Sequence, residues 1–331
     1  MQASYLDIGI TTHTPASSMH PANNHRRIRN RRILSLLLLT TLTTGQHNSK
    51  RGLSYVGDAH APDNSLLTTS SSPISWFYNW AVYPPSQVPS NNLSFVPLIH
   101  GTDEASSTQI SQQIASLPSS STHILTFNEP DGSKDSGGSS IAPEDAARSY
   151  IDHIVPYRNG NRKWKISHPS TTGSGNGLDW LKKFNESCYD IDKENGCPSD
   201  FVAAHWYGGF PGLAGWLGTL NEFYNTNTSR KDPIKMMNQT LPYLDGEDYV
   251  EKYAWFGAFR TKDANEWTGD GVALFDSSGA LTKLGALYLG GEAKGFKEGQ
   301  KGEGNEDAAG HVVVSWSLLF LSLVAGLYST L

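Results

Sequence analysis

The segment Ile124-Leu125-Thr126-Phe127-Asn128-Glu129-Pro130-Asp131 decides the fold. It begins with apolar, β-branched and aromatic residues and changes abruptly to polar ones. A strand of a parallel sheet that is covered on both faces has such a continuous apolar run. In a (β/α)8 barrel the catalytic groups lie at the carboxyl ends of these strands. Glu129 is therefore the first candidate for an acid/base carboxylate, although a polar turn that only ends a strand would have the same pattern.

Short apolar runs alternate with helical patterns on both sides of this segment, which is typical of βα units. Without its two ends the 331-residue chain retains about 240 residues, close to the roughly 250 of one TIM barrel. The sequence therefore predicts an α/β fold, a (β/α)8 TIM barrel. The predicted strands cover residues 52–56, 74–80, 95–100, 124–127, 164–168, 201–207 and 253–259.

The seventh strand is the weak point of this barrel. Between Tyr224 and Tyr253 its only candidate is the short run 233–237, which passes directly into a helical pattern at 238–244. We therefore predict a truncated seventh strand. A barrel that lacks one strand leaves unpaired ladder groups on the strands at either side of the gap.

The two ends of the chain predict export to the cell surface. Residues 1–49 are predicted to be an N-terminal extension with a signal peptide, because 1–32 are polar without a hydrophobic period and a basic stretch precedes the apolar run 33–45. Residues 50–292 are the barrel, and 293–331 are a linker and a hydrophobic tail typical of a GPI signal. A transmembrane tail is the alternative. The predicted location is secreted, at the cell surface or cell wall, with a GPI anchor as the link to the membrane.

Composition excludes some functions and predicts modifications. The formal net charge of −6 and the absence of a basic face speak against a nucleic-acid partner, and no phosphate-loop glycine pattern indicates a cofactor. If the protein is secreted, Cys188 and Cys197 are expected to form one local disulfide. Four glycosylation sequons begin at Asn92, Asn185, Asn227 and Asn238.

The predicted strand ends carry polar and aromatic residues around one central carboxylate. His100, His168 and His205 leave a zinc site open, but histidines in barrels more often only form hydrogen bonds, and we predict no metal. No Gly-x-Ser-x-Gly elbow indicates a serine hydrolase. Glycoside cleavage fits best, since it needs a carboxylic acid at the leaving oxygen and a second carboxylate as nucleophile or base. Glu129 suits proton transfer, and Asn128 beside it suits the sugar 2-hydroxyl.

Several of these strand-end motifs, in this order, resemble the family 128 glycoside hydrolases, also called alkali-sensitive-linkage-protein-like glycosyl hydrolases. The motifs are Ser75-Trp76-Phe77-Tyr78-Asn79-Trp80, Phe95-Val96-Pro97, Phe127-Asn128-Glu129-Pro130-Asp131, His205-Trp206-Tyr207 and Tyr253-Ala254-Trp255-Phe256. The resemblance covers residues 50–290 and implies a TIM barrel, a retaining mechanism, activity on β-1,3-glucan and Glu129 as the acid/base. It implies a polysaccharide partner that binds Asn128, Trp76, Tyr78, Trp80, His205, Trp206, Tyr207 and Trp255.

The chain departs from the resemblance at the second carboxylate. The family carries its nucleophile in a Thr-Glu pair at the end of strand seven, whereas no carboxylate lies between Asp232 and Asp245 here. Three explanations remain open: a coding segment missing from the gene model, a pseudoenzyme that binds glucan without cleaving it, or a substitute acid such as Asp131 or Asp103. The rival to an enzyme is a catalytically inactive glucan-binding or structural cell-wall protein on the same fold.

Overall fold

A computed structural model describes residues 5–11, 50–55, 60–85, 92–224, 236–247, 250–265 and 269–302. Its strands form one sheet with the order β4-β3-β2-β9-β1-β8-β7-β6-β5. The strands are β1 (Tyr5–Thr11), β2 (Arg51–Ser54), β3 (Trp76–Tyr78), β4 (Ser94–Phe95), β5 (Leu98–Ile99), β6 (His123–Asn128), β7 (Lys165–Ser170), β8 (Phe201–Tyr207) and β9 (Val250–Phe256).

The two ends of this sheet meet, so that the sheet closes into a barrel. β4 pairs with β3 and β5 pairs with β6, both in parallel, and only Val96 and Pro97 separate β4 from β5. The amide of Val96 donates to the carbonyl of Phe77 at 2.9 Å, and the carbonyl of Pro97 accepts from the amide of Leu125 at 2.9 Å. Because proline has no amide hydrogen, it divides this third barrel strand into two short halves.

Helices alternate with the strands as the sequence predicts, which gives an α/β barrel. They are α1 (Thr102–Ala105), α2 (Thr108–Ser116), α3 (Pro143–Ser149), α4 (Val155–Asn159), α5 (Gly175–Ile191), α6 (Phe210–Phe223), α7 (Met236–Gly246) and α8 (Lys283–Tyr288). α3 begins at a proline and has two acidic residues in its first turn, both favourable at a helix amino end. α5 is capped at its amino end by Ser174, whose hydroxyl accepts from the amide of Gly177 at 3.2 Å.

The position of the seventh strand is occupied by β1. β1 pairs antiparallel with β8 over seven residue pairs, from Tyr5↔Tyr207 to Thr11↔Phe201, and antiparallel with β9 on its other side. Met236 and Met237, the end of the candidate strand, belong to α7, while 233–235 lie outside the described residues. The prediction that residues 1–32 have no hydrophobic period is therefore wrong for 5–11, since Leu6, Ile8 and Ile10 alternate with other residues in a strand.

The gap that we expected between strands six and eight is thus closed by a segment from about 200 residues earlier in the chain. An antiparallel neighbour satisfies the ladder groups of β8 and β9 as completely as a parallel one would. Over the paired residues of β8 and β9, the backbone groups that we expected to be unpaired therefore have hydrogen-bond partners.

α7 is fixed to the amino edge of the barrel by two basic side chains at the start of β2. The ammonium group of Lys50 donates to the carbonyls of Asp245 and Glu247, both at 2.9 Å. The guanidinium of Arg51 donates to the Asp245 carboxylate at 2.5 Å and to the Tyr253 hydroxyl at 2.8 Å. A cation at the carboxyl end of a helix is favourable because the free carbonyls there carry partial negative charge.

The two cysteines form the predicted disulfide. Cys188 at the end of α5 and Cys197 in the loop before β8 have Cα atoms 5.3 Å apart and are bonded. Among the described residues, no helix is both long and apolar enough to cross a bilayer. The apolar runs 33–45 and 312–331 lie outside the described residues, so the signal peptide and the GPI anchor stay predictions. The chain continues to pack after residue 292, since the carbonyl of Gln300 accepts from the amide of Leu281 at 2.8 Å.

Candidate active site

Glu129 lies directly after β6, at the carboxyl edge of the barrel. Its backbone has φ 41° and that of Phe127 has φ 38°, a left-handed conformation that costs a non-glycine residue about 1–3 kcal/mol. The pairing of β6 with β7 contains two register irregularities before Asn128, and the amide of Glu129 donates to the carbonyl of Ser170 at 2.7 Å. Strain and bulges of this kind are concentrated at functional sites.

Two side chains of β8 bind the carboxylate of Glu129. His205 Nδ1 is 2.8 Å from Oε1, and the hydroxyl of Tyr207 donates to the same oxygen at 3.0 Å. The two residues occupy alternate positions of one strand, so both side chains lie on the same face of the sheet. The sequence predicts His205 and Tyr207 only as sugar contacts; the spacing i, i+2 on one strand is the signal for their common role.

Opposing effects set the protonation of Glu129. Its side chain is buried, with 6% exposed, and burial, the largest effect, raises the pKa. The hydrogen bond and charge of His205, the hydrogen bond of Tyr207 and the charge of His100 together outweigh burial and hold the pKa of Glu129 below its usual value. In this arrangement Glu129 is ionised at neutral pH, so it can accept a proton. A further interaction must raise its pKa before it can hold that proton and act as an acid.

Asn128 presents an unused acceptor beside Glu129. Its Nδ2 donates to the carbonyl of Gly137 at 2.9 Å, whereas its buried Oδ1 has no hydrogen-bond partner within the described part of the chain. A buried acceptor without a partner is unfavourable. A sugar hydroxyl could donate to it, as we predicted for the 2-hydroxyl group.

Three of the predicted aromatic sugar contacts lie at the carboxyl edge of the barrel, which forms the rim of the site. Tyr207 is 41% exposed. Trp80 is half-buried, with its ring 4.8 Å from that of Tyr78 and 5.6 Å from that of Phe256. Trp206 is half-buried on the other face of β8, where its Nε1 donates to the carbonyl of Gly209 at 3.2 Å. Tyr207 therefore combines an exposed aromatic ring with a hydrogen bond to the Glu129 carboxylate.

The structure does not bring Trp76, Tyr78 or Trp255 to this rim. Trp76 and Tyr78 are 4% and 1% exposed and fill the barrel interior with Val96, Leu98 and Ala254. Nε1 of Trp76 donates to the carbonyl of Lys50, at the amino edge. Trp255, next to the interior residue Ala254, is 3% exposed on the outer face, and its Nε1 donates to the carbonyl of Val272 at 2.9 Å. Packing within the barrel accounts for the positions of these three residues, and no bound sugar is needed to explain them.

The fold separates His168 from the other two strand-end histidines, which both act on Glu129. His168 is buried on the outer side, between the Tyr224 hydroxyl at 3.1 Å and the carbonyl of Cys197 at 2.7 Å. Burial lowers the pKa of His168 to about 4, against a smaller opposing effect of the Cys197 carbonyl, so the ring is neutral. His100 contacts the carbonyl of Gly137 at 3.2 Å. Among the described residues no cluster of three or more metal-ligating side chains occurs.

Neither acid considered as a substitute faces Glu129. Both carboxylate oxygens of Asp131 bind Thr172, one accepting from its amide at 3.0 Å and the other from its hydroxyl at 2.6 Å. This pair ties the loop after β6 to the loop after β7. Asp103 is exposed in the first turn of α1.

The predicted glycosylation sites are only partly described. Asn92 is exposed and Asn185 is half-buried on α5. Asn227 lies outside the described residues, and Asn238 lies in α7, where its side chain is not described. Modification of all four stays a prediction.

A buried carboxylate at the carboxyl edge of an α/β barrel is one of the two carboxylates that (β/α)8-barrel glycoside hydrolases use, and known proteins agree with this assignment. A family model described as glycosyl hydrolase catalytic core matches residues 52–288. The chain belongs to this family. Alkali-sensitive linkage protein 1 of Schizosaccharomyces pombe is 30% identical over 260 residues, covering 73% of this chain and 44% of that protein. The chain thus spans less than half the length of this relative.

Solved structures show the same fold. An endo-β-1,3-glucanase of family GH128 from Pseudomonas viridiflava has a TM-score of 0.57 at 23% identity, covering 74% of this chain and 98% of its own. An exo-β-1,3-glucanase from Aureobasidium namibiae has a TM-score of 0.56 at 20% identity, covering 74% and 97%. A curdlan-specific exo-β-1,3-glucanase from Blastomyces gilchristii, in complex with glucose, has a TM-score of 0.52 at 25% identity, covering 74% and 100%. The resemblance to family 128 is confirmed, and so is the TIM-barrel fold class.

Proposed function

We propose that the protein is a glycoside hydrolase that cleaves β-1,3-glucan by a retaining mechanism, with Glu129 as the acid/base. The observation that carries this proposal is the position of Glu129: a strained, buried carboxylate at the carboxyl edge, held by His205 and Tyr207. The substrate class is supported by the related structures, which are β-1,3-glucanases.

Glu129 performs two proton transfers in this proposal. As an acid it protonates the glycosidic oxygen of the leaving sugar, and as a base it then takes a proton from water. His205 and Tyr207 hold one oxygen of the carboxylate in place, which leaves the other oxygen for the substrate. Asn128 Oδ1 lies on the neighbouring residue and is a suitable acceptor for a hydroxyl of the same sugar.

A second candidate function is glucan binding without cleavage. It is favoured by the absence of any carboxylate between Asp232 and Asp245 and by the lowered pKa of Glu129. A pair of carboxylates normally raises the pKa of one member, because two like charges repel. An isolated, ionised Glu129 would bind a sugar but could not protonate the leaving oxygen.

One experiment separates the two candidates. The purified full chain is incubated with β-1,3-glucan, and the reducing ends and oligosaccharide lengths are followed over time. Shortened products that are absent from the matched Glu129→Gln sample support the hydrolase. Retention of the protein on insoluble glucan without any shortening would leave only the binding function.

A further inference from the structure

A wide polar groove lies beside the catalytic site, between the carboxyl edge of the barrel and the outer helix α3. Its volume is about 890 Å³, in the upper part of the roughly 300–1,000 Å³ that is typical of ligand pockets. It is lined by residues from three places: the segment from the end of β5 through α1, the loop after β6, and α3 with the turn that follows it. Its described lining includes neither Asn128 nor Glu129.

The groove and the catalytic site share one wall. Nε2 of His100, which lines the groove, is 3.2 Å from the carbonyl oxygen of Gly137, and Nδ2 of Asn128 donates to the same oxygen at 2.9 Å. A Cβ atom at Gly138 would lie 2.7 Å from the carbonyl oxygen of Glu129, so this loop packs directly against the catalytic residue. A ligand in the groove would therefore lie next to the catalytic site but outside it.

Two buried hydroxyl groups of the groove lining are unused. Ser139 and Ser149 line the groove and are 7% and 9% exposed, and the Oγ of each has no hydrogen-bond partner within the described part of the chain. A buried polar group without a partner is unfavourable, and such groups are rare in folded proteins. A ligand hydroxyl in the groove would supply the partner that both serines lack.

The backbone of the groove departs from regular structure at two places. Ser140, in the loop after β6, has φ 51°, and Tyr150–Ile154 form a π-helical turn between α3 and α4. This turn carries Asp152 and His153, which both line the groove. Left-handed non-glycine residues and π-helical turns are uncommon and are found especially at functional sites. Both observations are independent of the unused hydroxyl groups and indicate a ligand site at the same place.

Exposed charges of both signs indicate what kind of ligand the groove takes. Four charged side chains of its lining form no ion pair with a described residue: Lys134, Asp145, Arg148 and Asp152. The carboxylates would repel a small anion, and the basic groups would repel a cation. A sugar hydroxyl both donates and accepts hydrogen bonds, so a neutral ligand rich in hydroxyl groups suits the groove.

We propose that this groove is a second carbohydrate-binding site, which holds a segment of a β-1,3-glucan chain outside the catalytic site. The choice of glucan rests on the proposed function, whereas the choice of a neutral sugar rests on the groove itself. Binding there keeps the protein on an insoluble polysaccharide and takes no part in the chemical step. Its loss therefore reduces retention on insoluble glucan and leaves the rate on short soluble substrates unchanged.

Ser149→Ala gives the sharpest test, because it removes a hydroxyl that has no partner among the described residues. The affinity of the full chain for insoluble β-1,3-glucan, measured by depletion from the supernatant, should fall about 2–10-fold, the effect of one hydrogen bond. The melting temperature should stay the same or rise slightly. Ser121→Ala is the matched control, since Ser121 also has a buried, unpartnered Oγ but does not line the groove. A lower melting temperature of Ser149→Ala with unchanged affinity would make this hydroxyl structural and contradict the proposal.

Arg148→Ala tests the charged part of the groove. Hydrogen bonds to charged groups are stronger, so the affinity for insoluble glucan should fall about tenfold. Lys193→Ala, at an exposed lysine in the loop between α5 and β8, is the control and should bind like wild type. Retention of wild type should not depend on salt, because a neutral sugar is not screened. Retention that is lost at high salt would indicate a charged ligand and overturn the assignment to a neutral sugar.

Initial rates on a soluble β-1,3-linked tetrasaccharide separate the groove from the catalytic site. Both groove variants should keep kcat/KM on this substrate within about twofold of wild type. A loss on the tetrasaccharide equal to the loss of retention would place the groove within the catalytic site and overturn a second site. Unchanged retention of both variants would overturn the proposal while cleavage by wild type upholds the hydrolase function. If wild type cleaves nothing, the hydrolase function fails, and the retention of the two variants still decides the role of the groove.

Discussion

Among the described residues the barrel has two Glu–His pairs, one at each edge, and they differ in what surrounds them. At the carboxyl edge Glu129 lies 2.8 Å from His205. At the amino edge Glu251, near the start of β9, lies 2.9 Å from His123 at the start of β6. The distances are nearly equal, so the ion pair itself does not distinguish a catalytic glutamate from a structural one.

The surroundings do distinguish them. Glu251 has the second cation Lys165 at 3.4 Å, and it lies at the register irregularity between β1 and β9 without a positive φ. Glu129 has a neutral hydroxyl donor, a positive φ, and an adjacent unpartnered acceptor on Asn128. Only the carboxyl edge of a (β/α)8 barrel is built from the loops that receive substrate. Glu251 also has a buried oxygen, Oε2, without a hydrogen-bond partner among the described residues, so an unused hydrogen-bonding group does not distinguish the two. The positive φ and the position at the carboxyl edge, rather than the ion pair, therefore indicate which glutamate acts on a ligand.

The largest expected effect is that of Glu129→Gln on activity. General acid–base catalysis contributes about 10²–10⁴-fold to rate, so kcat on β-1,3-glucan should fall by that factor, while the melting temperature changes by only a few degrees. Initial rates and thermal unfolding are measured on the same preparations. Glu144→Gln, at an exposed carboxylate in the first turn of α3, is the control and should retain full activity. Equal rates for Glu129→Gln and wild type would refute the role of Glu129.

Glu251→Gln should show the opposite behaviour, with reduced stability and unchanged kcat. Burial raises the pKa of Glu251, but the hydrogen bond and charge of His123 and the charges of Lys165 and Lys252 lower it to about 2. Since the folded pKa is below the ordinary value of about 4.3, the pair stabilises the fold above pH 4.3 and loses this contribution as the pH falls towards 2. At neutral pH we expect a loss of about 2 kcal/mol.

Denaturant unfolding of wild type and Glu251→Gln between pH 7 and pH 2.5 checks this prediction. The difference between the two proteins should be largest at neutral pH and should shrink as the pH falls from 4.3 towards 2. A difference that stayed constant over this range would mean that the charge of Glu251 contributes nothing to stability, and that its loss acts only through packing.

The contrast between the two edges also explains what could be predicted from sequence. The strand of Glu129 was recognisable because a buried parallel strand is a continuous apolar run, and β6 lies within one residue of the predicted 124–127. It was harder to predict from the sequence which side of a strand faces the site. Trp255 and Ala254 are neighbours on β9, and only the pairing in three dimensions shows that the tryptophan packs outwards.

The replacement strand β1 could not be predicted from the local sequence pattern. Seven residues with Leu6, Ile8 and Ile10 at alternate positions are a weak pattern, because strand propensity depends strongly on neighbouring strands. The neighbours of β1 are β8 and β9, about 200 and 250 residues away. Nothing in residues 5–11 specifies these two neighbouring strands. They are specified by the position that the truncated seventh strand leaves open between β8 and β9.

The smallest expected effect is that of Tyr207→Phe, and it tests how the carboxyl edge is tuned. The Tyr207 hydroxyl donates to Glu129 Oε1 at 3.0 Å and lowers its pKa. Its removal should raise the pKa of Glu129, so that the alkaline limb of the activity profile, where the acid form is lost, moves to higher pH. The loss in kcat/KM at the optimum should be about tenfold or less, since one such hydrogen bond contributes about 0.5–1.5 kcal/mol. Rates on β-1,3-glucan from pH 4 to pH 9 measure both quantities. An unchanged alkaline limb together with a raised KM would instead make Tyr207 a sugar contact, and His205 would then be the residue that sets the protonation of Glu129.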